Sequence, residues 1–219
     1  MILELVTVCN KHRFIGQSDM KISTYTGGMV QTNAYLVESV NGNYLVDAPD
    51  GVSDWLDRKG VRLDALYLTH QHYDHVEDVA ELQKRGVKVF AWAEYSKDLT
   101  LETYGASWGM PSVAAYQVDQ FVSEGKGEYF HLPTQVSHVP GHSPDSITLY
   151  LPDAGVVFVG DTLFAGSIGR CDLPDGDFDL LISGIKEKLL MLSDETRVLS
   201  GHGPETTIGR EKLSNGYLQ

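Results

Sequence analysis

Apolar and β-branched residues recur in short runs along the first half of the chain. Lys21 to Thr26, Thr32 to Glu38 and Asn43 to Ala48 read as strands, the last two joined at Asn41-Gly42, a pair that favours the left-handed backbone of a tight hairpin turn. Ser53 to Lys59 carries a helix start signal, and the buried-strand pattern of Leu63 to Thr69 delivers a polar, histidine-rich run. Val76 to Lys84 predicts a helix that stops at Gly86, followed by a strand over Val87 to Ala91. Between Glu94 and Gln117, Tyr95, Tyr104, Trp108 and Tyr116 stand among small residues, which predicts helix and loop near the mouth of a site. Strands are expected at Glu128 to Leu132, Gln135 to Val139, Ser146 to Leu151, Val156 to Gly160 and Arg197 to Ser200. From Asp177 to Leu192, apolar residues at Phe178, Leu181, Ile185, Leu189 and Leu192 keep spacings of three and four, the mark of one apolar helix face.

Strand runs interleaved with helices in both halves predict a mixed α/β (α+β) fold in which two packed sheets are covered outside by helices, a four-layer αββα sandwich. No repeat, low-complexity tract or linker interrupts residues 1–219, so a single domain is expected.

Composition narrows the function classes. A 42% hydrophobic content over 219 residues supports a real core. No run approaches the roughly 18 apolar residues of a membrane span, and the apolar start Met1 to Val8 carries Glu4 with no basic residue before it, so neither signal peptide nor anchor is expected. Cys9 and Cys171 are too few for a disulfide framework and too far apart for a cysteine zinc site, which fits the cytoplasm. A formal net charge of −13 would repel a phosphate backbone and argues against nucleic acid.

The chemistry concentrates in Thr69-His70-Gln71-His72-Tyr73-Asp74-His75. Imidazole and carboxylate suit zinc and other divalent transition metals, and four such groups this close can serve two ions. His70 and His72, two apart, point the same way on an extended segment, whereas adjacent Asp74 and His75 are expected to point apart. Pro140-Gly141-His142, Val159-Gly160-Asp161 and Ser200-Gly201-His202 each follow an apolar strand-like run, where separate segments converge. Asp47, ending a strand in Val46-Asp47-Ala48-Pro49, is the candidate support for a ligand histidine. His12, His131 and His138 lie outside any motif and read as structural or exposed.

With these motifs in their order, the chain resembles the metallo-β-lactamase superfamily and, within it, the short single-domain glyoxalase II-like (hydroxyacylglutathione hydrolase-like) hydrolases. Gly160-Asp161-Thr162-Leu163-Phe164-Ala165-Gly166-Ser167-Ile168-Gly169-Arg170 and Gly201-His202-Gly203-Pro204-Glu205-Thr206-Thr207-Ile208-Gly209 carry the likeness most closely. The resemblance implies one metal on His70, His72 and His142, another on Asp74, His75 and His202, and Asp161 bridging both. Zinc is the default, with iron or manganese as substitutes. It also implies a hydrolase of small acyl thioesters: cations about 3.5 to 4 Å apart would share a water, lower its pKa and polarise the carbonyl that it attacks. Asp74 would then hold a metal and also orient or accept the proton of the nucleophile. True metallo-β-lactamases lack the bridging carboxylate, so Asp161 points away from β-lactams.

The same resemblance places Arg170 towards the substrate tail. Glu77-Asp78 replaces a pair that contains glycine in the family, Asp145 falls where the family commonly has glycine, and both changes would add negative charge near the mouth. Two neighbouring chemistries stay open. A lactone or ester hydrolase needs only another carbonyl, while a persulfide dioxygenase would bind one iron through His70, His142 and Asp161. Gly169-Arg170-Cys171-Asp172 resembles a step of the dioxygenases, but His202 followed by Gly-Pro-Glu does not. A non-catalytic relative is disfavoured because all seven ligand positions are filled. The expected partner is a small-molecule substrate, with neither membrane nor nucleic acid, on a monomer or homodimer.

Overall fold

The computed structural model describes residues 20–105, 109 and 111–219; Cys9, His12 and Trp108 lie outside them. The first half supplies β1 (Met20–Gly27), β2 (Thr32–Ser39), β3 (Gly42–Val46), α1 (Val52–Lys59), β4 (Ala65–Tyr67), α2 (Tyr73–Val76), α3 (Val79–Lys84), β5 (Lys88–Ala91), α4 (Glu102–Gly105) and β6 (Gln120–Phe121). Its strands form one sheet in sequence order, antiparallel from β1 to β3 and parallel from β3 to β6. The second half supplies β7 (Gly125–Tyr129), β8 (Leu132–His138), β9 (Ile147–Leu151), β10 (Val156–Gly160), β11 (Leu163–Phe164), β12 (Ser167–Ile168), α5 (Phe178–Gly184), β13 (Arg197–Ser200), β14 (Thr206–Thr207) and α6 (Ile208–Ser214). Here the sheet order is β14-β13-β10-β9-β8-β7, and β11 with β12 makes a separate short ribbon.

Alternation along the strands builds three apolar layers, because successive side chains leave opposite faces of a sheet. In β2, Ala34 and Leu36 pack outward with Leu56 and Leu82 of the helices, while Tyr35 and Val37 pack inward. The inward layer, where Tyr35 and Tyr67 meet Phe130, Leu149 and Phe158, lies between the sheets. On the far side, Val157 and Val159 of β10 pack with Leu181, Ile185 and Ile208 of the covering helices. The result is the expected αββα sandwich, and none of the described helices is long and apolar enough to cross a membrane.

Several boundaries differ from the sequence reading for local reasons. The expected strand over Glu128 to Leu132 is cut by a two-residue turn, with Phe130 and His131 both in the left-handed region (φ 57° and 50°) and the Phe130 ring fully buried. The hairpin's turn therefore lies between Tyr129 and Leu132. The strand ending at Ala48 stops at Val46, because Asp47 turns out of the sheet at φ 60°. The helix expected from Val76 is two pieces, and its first turn contains the histidine motif itself. The helix from Asp177 starts with an Asp177 side chain accepting from Leu180 N (2.9 Å) and continues past Gly184 as a wider π turn over Ile185–Leu189. Leu181, Ile185 and Leu189 are buried as expected, but Phe178, in the first turn, is 49% exposed. His131 sits on the exposed hairpin turn, and His138 stacks on Trp92 with ring centroids 4.2 Å apart.

Candidate metal centre

Strands that run the same way end on the same edge of each sheet, and the polar residues following them meet across the sandwich. Asp47 follows β3, His70 and His72 follow β4, His142 follows β8, Asp161 follows β10 and His202 follows β13. Asp74 and His75 open α2. All seven candidate ligands come together, in three groups whose ligand atoms lie within 4.8 Å of one another: His70, His72 and His142; His70, His75 and Asp161; and Asp74, His75 and His202. Asp74 and His75 do not point apart as an extended chain would make them. On a helix, neighbours differ by about 100°, and their ligand atoms are 3.4 Å apart.

Asp161 is the centre of the arrangement. Its Oδ2 lies 3.5 Å from His142 Nε2 and 3.2 Å from His202 Nε2, and its Oδ1 lies 3.3 Å from His75 Nε2. Two glycines make this approach possible. A Cβ on Gly201 would strike Asp161 Oδ1 and come within 2.6 Å of His75 Cε1, and Gly160, at φ 50°, leaves no room for one against Thr69 Oγ1.

Asp47 supports both sides of the site. Its carboxylate accepts from Thr69 N and Thr69 Oγ1 (2.8 Å each) and from His75 Nδ1 (2.9 Å). With its proton given to Asp47, Thr69 Oγ1 accepts from His70 Nδ1 at 3.2 Å. His142 Nδ1 donates to the Arg170 carbonyl at 2.8 Å. Each of these bonds fixes a tautomer that turns Nε2 towards the centre. There His70 Nε2, His75 Nε2, His142 Nε2 and Asp161 Oδ1 are buried without a hydrogen bond. Four such atoms facing one another, all lone-pair donors when the imidazoles are neutral, fit divalent cations.

The protein field divides the histidines. Burial, reinforced by neighbouring imidazoles, keeps His70 and His142 below the ordinary histidine range and His72 at about 3. Burial also acts on His75 and His202, but carboxylates outweigh it: Asp74, Asp161 and Asp47 raise His75 well above its usual value, and Asp161 with Asp74 brings His202 to about 10. Conversely, burial would raise both acids, yet His75 and His202 hold Asp161 well below the carboxylate range and Asp74 at about 2. His70, His72 and His142 are thus ready as neutral donors, whereas His75 and His202 share protons with the ionised Asp74 and Asp161 and must release them to bind a cation.

Several supporting residues carry no signal of their own in the sequence. Thr32 Oγ1 donates to Asp74 Oδ2 at 2.6 Å, and Asn33 and Tyr35 bind the segment carrying His202 through the carbonyls of Ser200, Gly201 and Gly203. Gln71, between two ligand histidines, donates to Asp145 and accepts from Tyr116.

Other expectations need correction. Asp145 is 2% exposed and bound to Ser143 and Gln71, so it is a buried brace under the site; desolvation raises its carboxyl. Glu77 accepts from Asp50 N, and Asp78 accepts from Ser53 at the start of α1, so neither reaches the mouth. Tyr95 and Tyr116 pack together in the outer apolar layer (4.9 Å between centroids), Tyr104 is surface-exposed, and from that region Leu101 lines the cleft.

The cleft over the centre has a volume of about 400 Å³ and opens between Val30, Phe164, Ile168, Leu173 and Leu101. Arg170 also lines it, with its guanidinium paired to Asp172 through Nε (2.7 Å) and a terminal nitrogen (2.9 Å). Cys171 is half-buried, and burial raises its thiol.

Comparison with known proteins agrees with this geometry. The family model described as metallo-beta-lactamase superfamily matches residues 27–202. Hydroxyacylglutathione hydrolase GloC of Haemophilus influenzae is 36% identical over 198 residues, spanning 86% of this chain and 93% of that protein. Among solved structures, TTHA1623 in a di-iron-bound form is 38% identical with a TM-score of 0.78, covering 90% of this chain and 100% of that one. BLEG-1 B3 metallo-beta-lactamase is 33% identical with a TM-score of 0.81, covering 91% and 100%.

Proposed function

The chain belongs to the metallo-β-lactamase superfamily, and we propose that within it this protein is a single-domain, dinuclear-metal hydrolase of small acyl thioesters. The convergence of three ligand-capable groups around Asp161 carries this reading. His70, His72 and His142 would hold one divalent ion and Asp74, His75 and His202 the other, with Asp161 between them. Zinc is the default occupant, with iron or manganese as substitutes; the relative in di-iron form shows that a protein of this fold takes iron. A bound pair supplies Lewis acidity, which lowers the pKa of water and polarises an acyl carbonyl.

The chain's own groups supply the rest. Asp74, held by Thr32 on Oδ2, takes and orients the proton of the attacking water. The apolar walls exclude bulk water around the acyl group. In the net reaction, water oxygen bonds to the acyl carbon, the C–S bond breaks, and the thiol leaves with a proton. Relatives named as a hydroxyacylglutathione hydrolase and a B3 metallo-beta-lactamase put a thioester and a β-lactam side by side as candidates. Asp161, which would bridge two bound ions, favours the thioester. Asp74, His75 and His202 form a second ligand-capable group, which favours hydrolysis over one-iron persulfide oxidation. A small-molecule substrate and a cytoplasmic setting complete the proposal.

The test is metal quantification on purified protein, then a panel of a thioester, a lactone, a chromogenic cephalosporin and a persulfide with oxygen uptake. Two metals per chain and turnover led by the thioester is the expected result. One iron with oxygen consumption, or turnover led by the cephalosporin, would overturn it.

A further inference from the structure

We propose that Asp172 sets the substrate class of the cleft: by clamping Arg170 it neutralises that wall, so the site prefers thioesters whose acyl and thiol parts are apolar and uncharged. The inference rests on the thioesterase reading above and goes beyond it in naming the substrate.

Three observations carry it. First, apart from the metal-site histidines, Arg170 is the sole cationic side chain among the described residues that line the cleft. It is spent on a bidentate pair with Asp172, whose two hydrogen bonds are those of a fork on a carboxylate. A substrate carboxylate arriving there finds the Nε–Nη2 fork taken, is left with the outer N–H groups, and still meets the Asp172 charge two residues away. Because the partner is so close in sequence, the pair re-forms without an entropy cost comparable to capturing a free anion.

Second, the rest of the wall is mostly apolar: Phe164, Ile168, Leu173, Leu101 and Val30 line it, with Tyr73 and Ser167 as its other residues outside the metal site. Third, the turn between β1 and β2 presents bare hydrophobic surface beside this rim, Val30 being 46% and Met29 78% exposed. Apolar surface that folding leaves uncovered at a cleft mouth is matched by an apolar ligand group. The acidic side chains that the sequence suggested for the mouth, Glu77, Asp78 and Asp145, bind Asp50 N, Ser53 and Ser143 instead, so that, Asp74 and Asp161 of the metal site apart, none of them faces Arg170 as Asp172 does.

Butanoyl thioesters of N-acetylcysteamine and of N-acetylcysteine share acyl group and thioester and differ by one carboxylate. For the metal-loaded protein, kcat/KM should favour the neutral compound by about two- to fivefold, the scale of an ion pair whose two side chains are 61% and 71% exposed. Asp172→Asn should narrow or invert that ratio by freeing Arg170, and Asp172→Asn with Arg170→Gln should remove the gain. Dissociation constants of the non-hydrolysable thioether analogues, measured by calorimetry, should follow the same order. Turnover that is equal on the two compounds, or better on the anion, overturns the inference alone, as does a ratio unmoved by Asp172→Asn. Absence of turnover on both overturns the thioesterase reading and this inference with it.

Discussion

Replacing Asp47 by Asn probes how the centre is held, because it changes one atom's chemistry in a site that is 2% exposed. The carboxylate accepts three hydrogen bonds, two from Thr69 and one from His75 Nδ1. An amide offers one oxygen and one NH2. With the oxygen kept on Thr69 N, the NH2 faces His75 Nδ1, and two donors cannot share a hydrogen bond. His75 relieves the clash by giving up the Nδ1 proton and keeping one on Nε2, the atom it would present to a metal. Loss of such an outer partner weakens metal binding by about 10- to 100-fold, or about 1.4 to 2.7 kcal/mol. The loss should fall on the site made by Asp74, His75 and His202. Thr69→Val, which cuts the relay from Asp47 to His70, should instead weaken the site made by His70, His72 and His142. Competition titration with a chromophoric chelator measures both affinities, and nitrogen chemical shifts report the His75 tautomer. If Asp47→Asn keeps both affinities at the wild-type level with the tautomer unchanged, Asp47 does not act on the metal through His75.

Other expectations follow from the same geometry. Asp161→Ala should abolish dinuclear loading and activity; retention of two metals would show that no bridge is needed. His202, at about 10, and the raised His75 are protonated at neutral pH without metal, so loading at pH 7 should release about two protons, read from the dependence of binding heat on buffer ionisation. The sign for stability follows: a raised histidine stabilises the metal-free fold fully below the unfolded value of about 6.5, and that contribution is lost as pH rises towards 10. The metal-free melting temperature should therefore fall across this window, and a constant value would refute the assignment. Gly201→Ala should lose metal because the added carbon meets Asp161 and His75, whereas Gly216→Ala, with open space around its Cβ position and no left-handed backbone, should keep it.

The fold was readable where the pattern is periodic. Alternation in β2, β3 and β10 predicts both faces of each strand, and the structure fills both with apolar layers. It was less readable where one side chain overrides the local pattern. Asp47 leaves its strand because its carboxylate bonds to Thr69 and His75, 22 and 28 residues away, information that no local window contains. The Phe130-His131 turn adopts left-handed backbone without glycine or asparagine, the usual flags, since burying the Phe130 ring between the sheets offsets the strain. The seven ligand candidates were legible because histidine and aspartate at strand ends have few other reasons to gather. Their supports were not, because Thr32, Gln71 and Tyr116 are ordinary residues until the fold brings them beside the ligands. Asp145 shows the hazard of reading charge from sequence alone: it looked like a rim acid and is a buried brace.

Asn33 and Tyr35 belong to the first sheet, yet they grip the segment carrying His202 across 165 to 170 residues of chain. Pairings so distant form late in folding, after the loops between them have closed. Both candidate ligand sets therefore wait for the two halves of the sandwich to meet, since His142 follows β8 and His202 follows β13. A nascent or partly unfolded chain can offer the clustered histidines after β4, but it lacks the set needed to retain a pair of ions. On the proposed function, metal capture would select for joined chains, because only these would gain the added stability of bound ions.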